Sequence, residues 1–239
     1  MPLTAVKILG ASDQRSNEEK MKEAMTKTIA YGKLMNQETE YPKWNYWQLA
    51  RKVLKSNPDF VLDEFNRREF DLMCLYFSGD PRFEQDGRSF QKGLAVYGPV
   101  GCGKSTMMRM FQVNTYRPFG VIPCRKISDL YSTGGIDVLN HHANLQTVYP
   151  KQHMGFAQLG RCFDDLGKED TRTNFGNHAN VMLDIIDKIY EYNRGGNFHM
   201  ITNITGKQIE AFYGVWIKSR MRSLFNLIQF NKNSPDRRK

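Results

Sequence analysis

Gly98-Pro99-Val100-Gly101-Cys102-Gly103-Lys104-Ser105 decides the fold. The pattern G-x-x-x-x-G-K-[ST] is short, so its flanks carry the argument. Leu94-Ala95-Val96-Tyr97 enters it as a buried-strand run, and Thr106-Met107-Met108-Arg109-Met110-Phe111 leaves it as a helix. Glycines let backbone N–H groups close around phosphate oxygens, and the helix N-terminus adds a favourable field. The whole stretch Gly98 to Thr106 is therefore expected to cradle a nucleotide triphosphate, ATP. Lys104 would reach the β- and γ-phosphates, and the Ser105 hydroxyl would complete a magnesium shell. A plain glycine turn is the alternative, and a lysine plus a hydroxyl at the required spacing argue against it.

A phosphate loop needs an acidic partner on a neighbouring strand. Phe156 to Asp165 ends in two carboxylates followed by Leu166-Gly167. Asp164 is expected to hold magnesium, and Asp165 to orient or deprotonate the attacking water. Phe198-His199-Met200-Ile201-Thr202 delivers Asn203 to the same sheet edge, where an amide can hold that water or sense the γ-phosphate. Asn203 as simple turn chemistry is the competing reading.

Outward from these motifs, the chain from Lys92 alternates short apolar runs with helical segments, the pattern of an α/β fold with a parallel sheet. Strands are predicted at Gly93-Tyr97, Val121-Cys124, Ala157-Phe163, Phe198-Thr202 and Leu227-Phe230. Helices are predicted near Lys104-Tyr116, Ile127-Leu139, Asn177-Asn193, Thr205-Phe212 and Val215-Phe225. The expected architecture is a P-loop NTPase with a roughly five-stranded parallel sheet. Before it, residues 17–37, 47–54 and 60–77 show helical apolar spacing, so residues 1–88 read as a helical, partner-binding region and 89–239 as the ATPase domain. Between the first two helices, Tyr41-Pro42-Lys43-Trp44-Asn45-Tyr46-Trp47 is an aromatic cluster that either packs on the core or faces a partner.

Bulk properties exclude several classes. The 239 residues are 40% hydrophobic and 25% charged, and no apolar run approaches the roughly 20 residues a membrane span needs. Met1 to Gly10 lacks the succession of a signal peptide, so a cytoplasmic protein is expected. Cys74, Cys102, Cys124 and Cys162 form no C-x-x-C pair, and the five histidines show no ligand spacing, which argues for reduced thiols and against structural zinc. A net charge of +9 favours polyanionic partners.

Four motifs together resemble the DnaC/IstB-like branch of AAA+ ATPases: residues 98–106, Phe163-Asp164-Asp165-Leu166-Gly167, Ile201-Thr202-Asn203, and Tyr213-Gly214 followed by Ser219-Arg220-Met221. The likeness runs from about residue 90 to 238. It implies an AAA+ core without a C-terminal lid, ATP hydrolysis, homo-oligomeric assembly and Arg220 as an arginine finger reaching a neighbour's ATP, with Arg222 a weaker substitute. The resemblance also implies a replicative helicase or a transposase as protein partner, and contact with DNA, single-stranded for a loader, through Arg125 to Gly155. That segment offers Arg125, Lys126, Tyr131, Lys151 and His153, and reads equally as a long structural connection. Ser234-Pro235-Asp236-Arg237-Arg238 resembles the family's closing element, in which an arginine approaches nucleotide in cis. A helicase loader is the leading expectation, with an IstB-like transposition helper as the alternative. A small-molecule kinase lacks its arginine-bearing lid here, and a GTPase would need Asn-Lys-x-Asp where Asn231-Lys232-Asn233-Ser234 stands.

Overall fold

The computed structural model describes residues 43–148, 157–169, 172–174, 177–192 and 195–238. The helix expected over residues 17–37 lies outside them. Asn45 starts α1 (Tyr46–Lys55) with a capping box: its side chain accepts the Gln48 N–H, and the Gln48 side chain accepts that of Asn45. Helix α2 (Arg67–Ser78) begins later than its apolar pattern predicts. Asn66 explains the delay, since its side chain accepts the Asp63 N–H and donates to the Val61 carbonyl, bonds that hold the chain in a turn. Gly79, at φ 62°, ends α2 with a left-handed cap.

The α/β half follows as β1 (Gly93–Tyr97), α3 (Lys104–Met110), β2 (Phe119–Pro123), α4 (Cys124–Ala143), β3 (Gln146–Val148) and β4 (Ala157–Leu166). It continues with β5 (Arg172–Asn174), β6 (Asn177–Ala179), α5 (Val181–Glu191), β7 (Phe198–Thr202), α6 (Gly206–Leu224) and β8 (Phe225–Gln229). Five strands run parallel in the order β2-β4-β7-β1-β8, and β3 pairs antiparallel with the start of β4. This is the five-stranded parallel sheet the sequence predicts. Some boundaries differ for local reasons. Helix α3 stops at Met110 because Phe111–Val113 tightens into a 3-10 turn that Asn114 closes by donating to the Phe111 carbonyl. Helix α5 starts only at Val181, where the Asn180 side chain accepts the Leu183 N–H, because β5 and β6 form a hairpin just before it. The two helices predicted at 205–212 and 215–225 are the two halves of α6, which meet at Gly214, a residue with non-helical torsions (φ 84°, ψ 165°).

Alternation along the strands divides two apolar layers. Leu94 and Val96 of β1 and Ile201 of β7 face α1, α2 and α3, where Phe70, Phe77, Met107 and Phe111 pack with Leu49 and Val53. Ala95, Phe198 and Met200 face α4, α5 and α6, meeting Ile127, Ile185 and Ile217. Helices α1 and α2 thus belong to the layer that also holds α3. All four cysteines are buried free thiols. Among the described residues no helix is long and apolar enough to cross a membrane.

His199 in β7 lies in the aromatic layer, its ring edge-on to Tyr76, Phe77 and Phe119. Its Nδ1 accepts the Leu94 N–H at 3.1 Å, so the ring is a neutral acceptor that ties β7 to β1. Burial, aided by the Arg117 charge, pushes its pKa from 6.5 down to about 3. Below 6.5 the unfolded chain takes up a proton that the folded chain refuses. This contribution to stability is complete above 6.5 and is lost as the pH falls towards about 3. Urea midpoints should therefore decline from about pH 6.5 downwards, and less steeply in His199→Gln.

Candidate active site

The carboxyl ends of β1, β4 and β7 are neighbours in the sheet, and the residues that follow or end them converge. After Tyr97 the chain turns through residues 98–103 into α3, with Gly101 at φ 79° and Gly103 at φ 96°, a conformation that suits glycine. Lys104 opens α3 and is only 5% exposed. Its Nζ donates to the carbonyls of Gly98 at 2.9 Å and Pro99 at 2.6 Å and to Asn203 Oδ1 at 2.5 Å. Burial lowers its pKa, while the Cys102 thiol and Asp165 act in the opposite sense. The lysine closes the loop on itself while keeping a cation at the cavity wall.

Strand β4 carries the acids. Its pairing with β7 slips between Phe163 and Leu166, and Asp165 within the bulge takes φ 62°, a left-handed conformation that aspartate tolerates better than most side chains. The bulge aims the two carboxylates differently. Asp164 is buried, and its Oδ1 accepts the Ser105 hydroxyl at 2.7 Å. Asp165 lines the cavity, accepting from Asn203 Nδ2 at 3.3 Å and pairing with Lys168 at 2.9 Å. Asn203 therefore bridges Lys104 and Asp165. The resulting cavity of about 200 Å3 has Gly101, Lys104, Ser105, Asp165, Asn203 and Arg238 among its walls. A hydroxyl and a carboxylate in contact are oxygen donors of the kind magnesium takes, so Ser105 and Asp164 fit that ion. A larger cavity of about 450 Å3 lies beneath α6 against β1, β7 and β8, and its mostly apolar wall offers no comparable set of groups.

Lys104, Ser105, Asp164, Asp165 and Asn203 thus meet at one sheet edge. Arg220 does not join them. It sits on α6, ion-paired with Asp187 of α5 and 4.9 Å above the Tyr190 ring. Arg222 lies at the wall of the larger cavity. In the segment beginning at Arg125, Arg125 and Lys126 are exposed on α4 but Tyr131 is 7% exposed in the core, and Lys151 and His153 lie outside the described residues.

Two features escaped the sequence, and of a third, the closing segment, it offered only an arginine approaching nucleotide in cis. Arg109 donates to Asp164 Oδ2 at 3.0 Å, so both oxygens of that carboxylate are engaged. Its position four residues after Ser105, on the same helix face, was the available signal. Glu169 accepts the Gly167 N–H and the Tyr213 hydroxyl, joining the end of the acidic strand to the kink of α6. The closing segment runs across the phosphate loop: the Arg237 N–H donates to the Gly101 carbonyl, and the Arg237 guanidinium grips both oxygens of Asp63 between α1 and α2. Arg238, paired with Asp236, reaches the cavity.

Gly101 is the tightest point of that crossing, since a Cβ there would lie 2.0 Å from Asp236 Oδ1. Gly101→Ala should destabilise the fold by about 1 kcal/mol or more, through both the positive φ and the collision. Adding Asp236→Ala should recover the collision's share alone, and thermal or urea unfolding of the single and double variants measures the split.

No protein-family model matches the chain, and no curated protein matches it. Solved structures do. The DnaC helicase loader is 14% identical, with a TM-score of 0.47 over 78% of this chain and 98% of that one. AMPPCP-bound DnaA from Aquifex aeolicus is 14% identical, with a TM-score of 0.45 over 82% of this chain and 53% of that one. A DNA replication initiation factor is 13% identical, with a TM-score of 0.47 over 80% and 50%. The chain spans about half the length of the latter two. Likeness at this level carries no functional weight. The P-loop NTPase fold of this chain stands on its strand order and on the loop between β1 and α3.

Proposed function

We propose that the chain is a magnesium-dependent ATPase of the helicase-loader kind, assembling as a homo-oligomer and acting on a replicative helicase at single-stranded DNA. The observation that carries the ATPase reading is one cavity walled by Lys104, Ser105, Asp165 and Asn203, with Asp164 bonded to Ser105 behind that wall. On this reading residues 98–106 receive the triphosphate, and Lys104 exchanges its loop carbonyls for phosphate oxygens. Ser105 and Asp164 would hold magnesium, which when bound would supply positive charge to offset that developing on the transferred phosphoryl group. Asn203 orients the attacking water, and the Asp165 carboxylate, already joined to that amide, takes its proton. The Lys104 cation at the cavity wall adds to the stabilisation of the developing charge.

Arg220 is the group supplied by a neighbouring copy. Within its own chain it is held by Asp187 and Tyr190, away from the cavity, which suits a guanidinium that acts on another subunit. The loading role rests on the set of sequence motifs described above together with the +9 charge.

Lys104→Ala should abolish ATP turnover, and steady-state hydrolysis retained in that variant would sink the site assignment. Arg220→Ala should keep nucleotide binding, measured with a fluorescent ATP analogue, while hydrolysis falls about a thousandfold or more. Mixing the two inactive variants should restore part of the turnover, because a Lys104→Ala subunit still lends Arg220 to its neighbour. Failure of the mixture to regain activity would argue against action in trans. Co-purification with the replicative helicase in the presence of ATP tests the loading role, and duplex-templated filaments with a transposase would favour the transposition reading instead.

A further inference from the structure

The aromatic cluster before α1 divides in two. Trp44 and Tyr46 pack against the core, and the Tyr46 hydroxyl donates to Asp71 at 2.7 Å. Trp47 turns the other way and is 73% exposed. Its ring is nevertheless braced, meeting that of Tyr46 edge-on with centroids 4.9 Å apart, on a helix fixed by its capping box and by buried Leu49 and Val53. Positions 47, 51 and 55 form one ridge of α1, since residues four apart stack on a helix face. That ridge reads Trp47, Arg51, Lys55, with exposed Lys52 beside it, 5.9 Å from the Trp44 ring. Residues 43–56 contain four basic and no acidic side chains. Among the described residues, no carboxylate pairs with Arg51, Lys52 or Lys55.

We infer that this ridge is a binding surface for single-stranded nucleic acid, in which Trp47 stacks on a base while Arg51, Lys52 and Lys55 take the adjoining phosphates. A rigid exposed indole accepts any base on its face, and cations spaced along a helix follow a flexible polyanion. A membrane surface is the other polyanion to consider, but the apolar face of α1 is spent on the core. Only Trp47 is left to insert, far short of the apolar stripe an interfacial helix buries. The inference stands apart from the ATP site and needs no nucleotide.

The test uses the full chain without nucleotide and a labelled deoxythymidine or uridine oligomer of about 20 residues, followed by fluorescence anisotropy across a salt series. Trp47→Ala should weaken binding about tenfold, whereas Trp47→Phe should keep most of the affinity. Arg51→Ala with Lys55→Ala should make the slope of log affinity against log salt shallower by about 1.4, some 0.7 per lost phosphate contact. The oligomer should also quench indole emission in the parent chain, and less so in Trp47→Phe. Tighter binding of either oligomer supports the site and names the strand it prefers. Thermal unfolding at the parent temperature shows each variant to be folded. The inference is overturned if the folded Trp47→Ala and double variants bind within twofold of the parent. Capture of the chain by phosphatidylserine vesicles with no binding of either oligomer overturns it as well.

Discussion

The position of β7 between β1 and β4 sets which groups meet at the carboxyl edge of the sheet. Parallel strands end at the same edge, so this order sets Asn203 between the phosphate loop and the acidic pair and gives it a partner on each side. Were β1 and β4 direct neighbours, Lys104 and Asp165 would meet as a simple ion pair, leaving no amide between them. The inserted strand holds the cation and the carboxylate apart at the width of the Asn203 side chain, which is bonded to both. His199 reinforces the order from inside, because a neutral imidazole bonded to the Leu94 N–H locks β7 to β1 in the dry layer.

Much of this was legible because local signals and tertiary demands agree. The apolar runs of β1 and β7 match their predicted bounds, and the glycine-rich turn into Lys104 reads the same way in sequence and structure. Asn203 and the aspartate pair were found because they follow strand-like runs at the edge where ligands collect. What stayed hidden depends on partners distant in sequence or on bonds that override apolar periodicity. Asn66 delays α2 through two side-chain bonds that no hydrophobic pattern records. Arg237 finds Asp63 across the whole molecule, and Glu169 finds Tyr213, pairs with no shared local motif. Tyr131 illustrates the converse: its aromatic character suited a nucleic-acid contact, but helical phase turned it into the core.

The closing segment and the first two helices are joined through the phosphate loop. Arg237 touches the Gly101 carbonyl with its backbone and Asp63 with its side chain, so one residue spans the loop and the α1–α2 connection. Glu169 makes a similar link on the other side, from the acidic strand to α6. Both links join the cavity rim to peripheral elements.

The second link meets α6 beside its break at Gly214. A Cβ at Gly214 would meet nothing within 4 Å, so crowding does not impose the bend. The angle between the halves of α6 is set by the torsions of this one residue, at φ 84° and ψ 165°. Tyr213, which holds Glu169, stands immediately before it, and Arg220 lies less than two turns beyond. The half of α6 beyond the glycine is held on the core by buried Ile217 and Met221 and on α5 by the Arg220–Asp187 pair. The half before it is tied through Tyr213 and Glu169 to the turn that follows Asp164 and Asp165, so one glycine joins two separately anchored pieces.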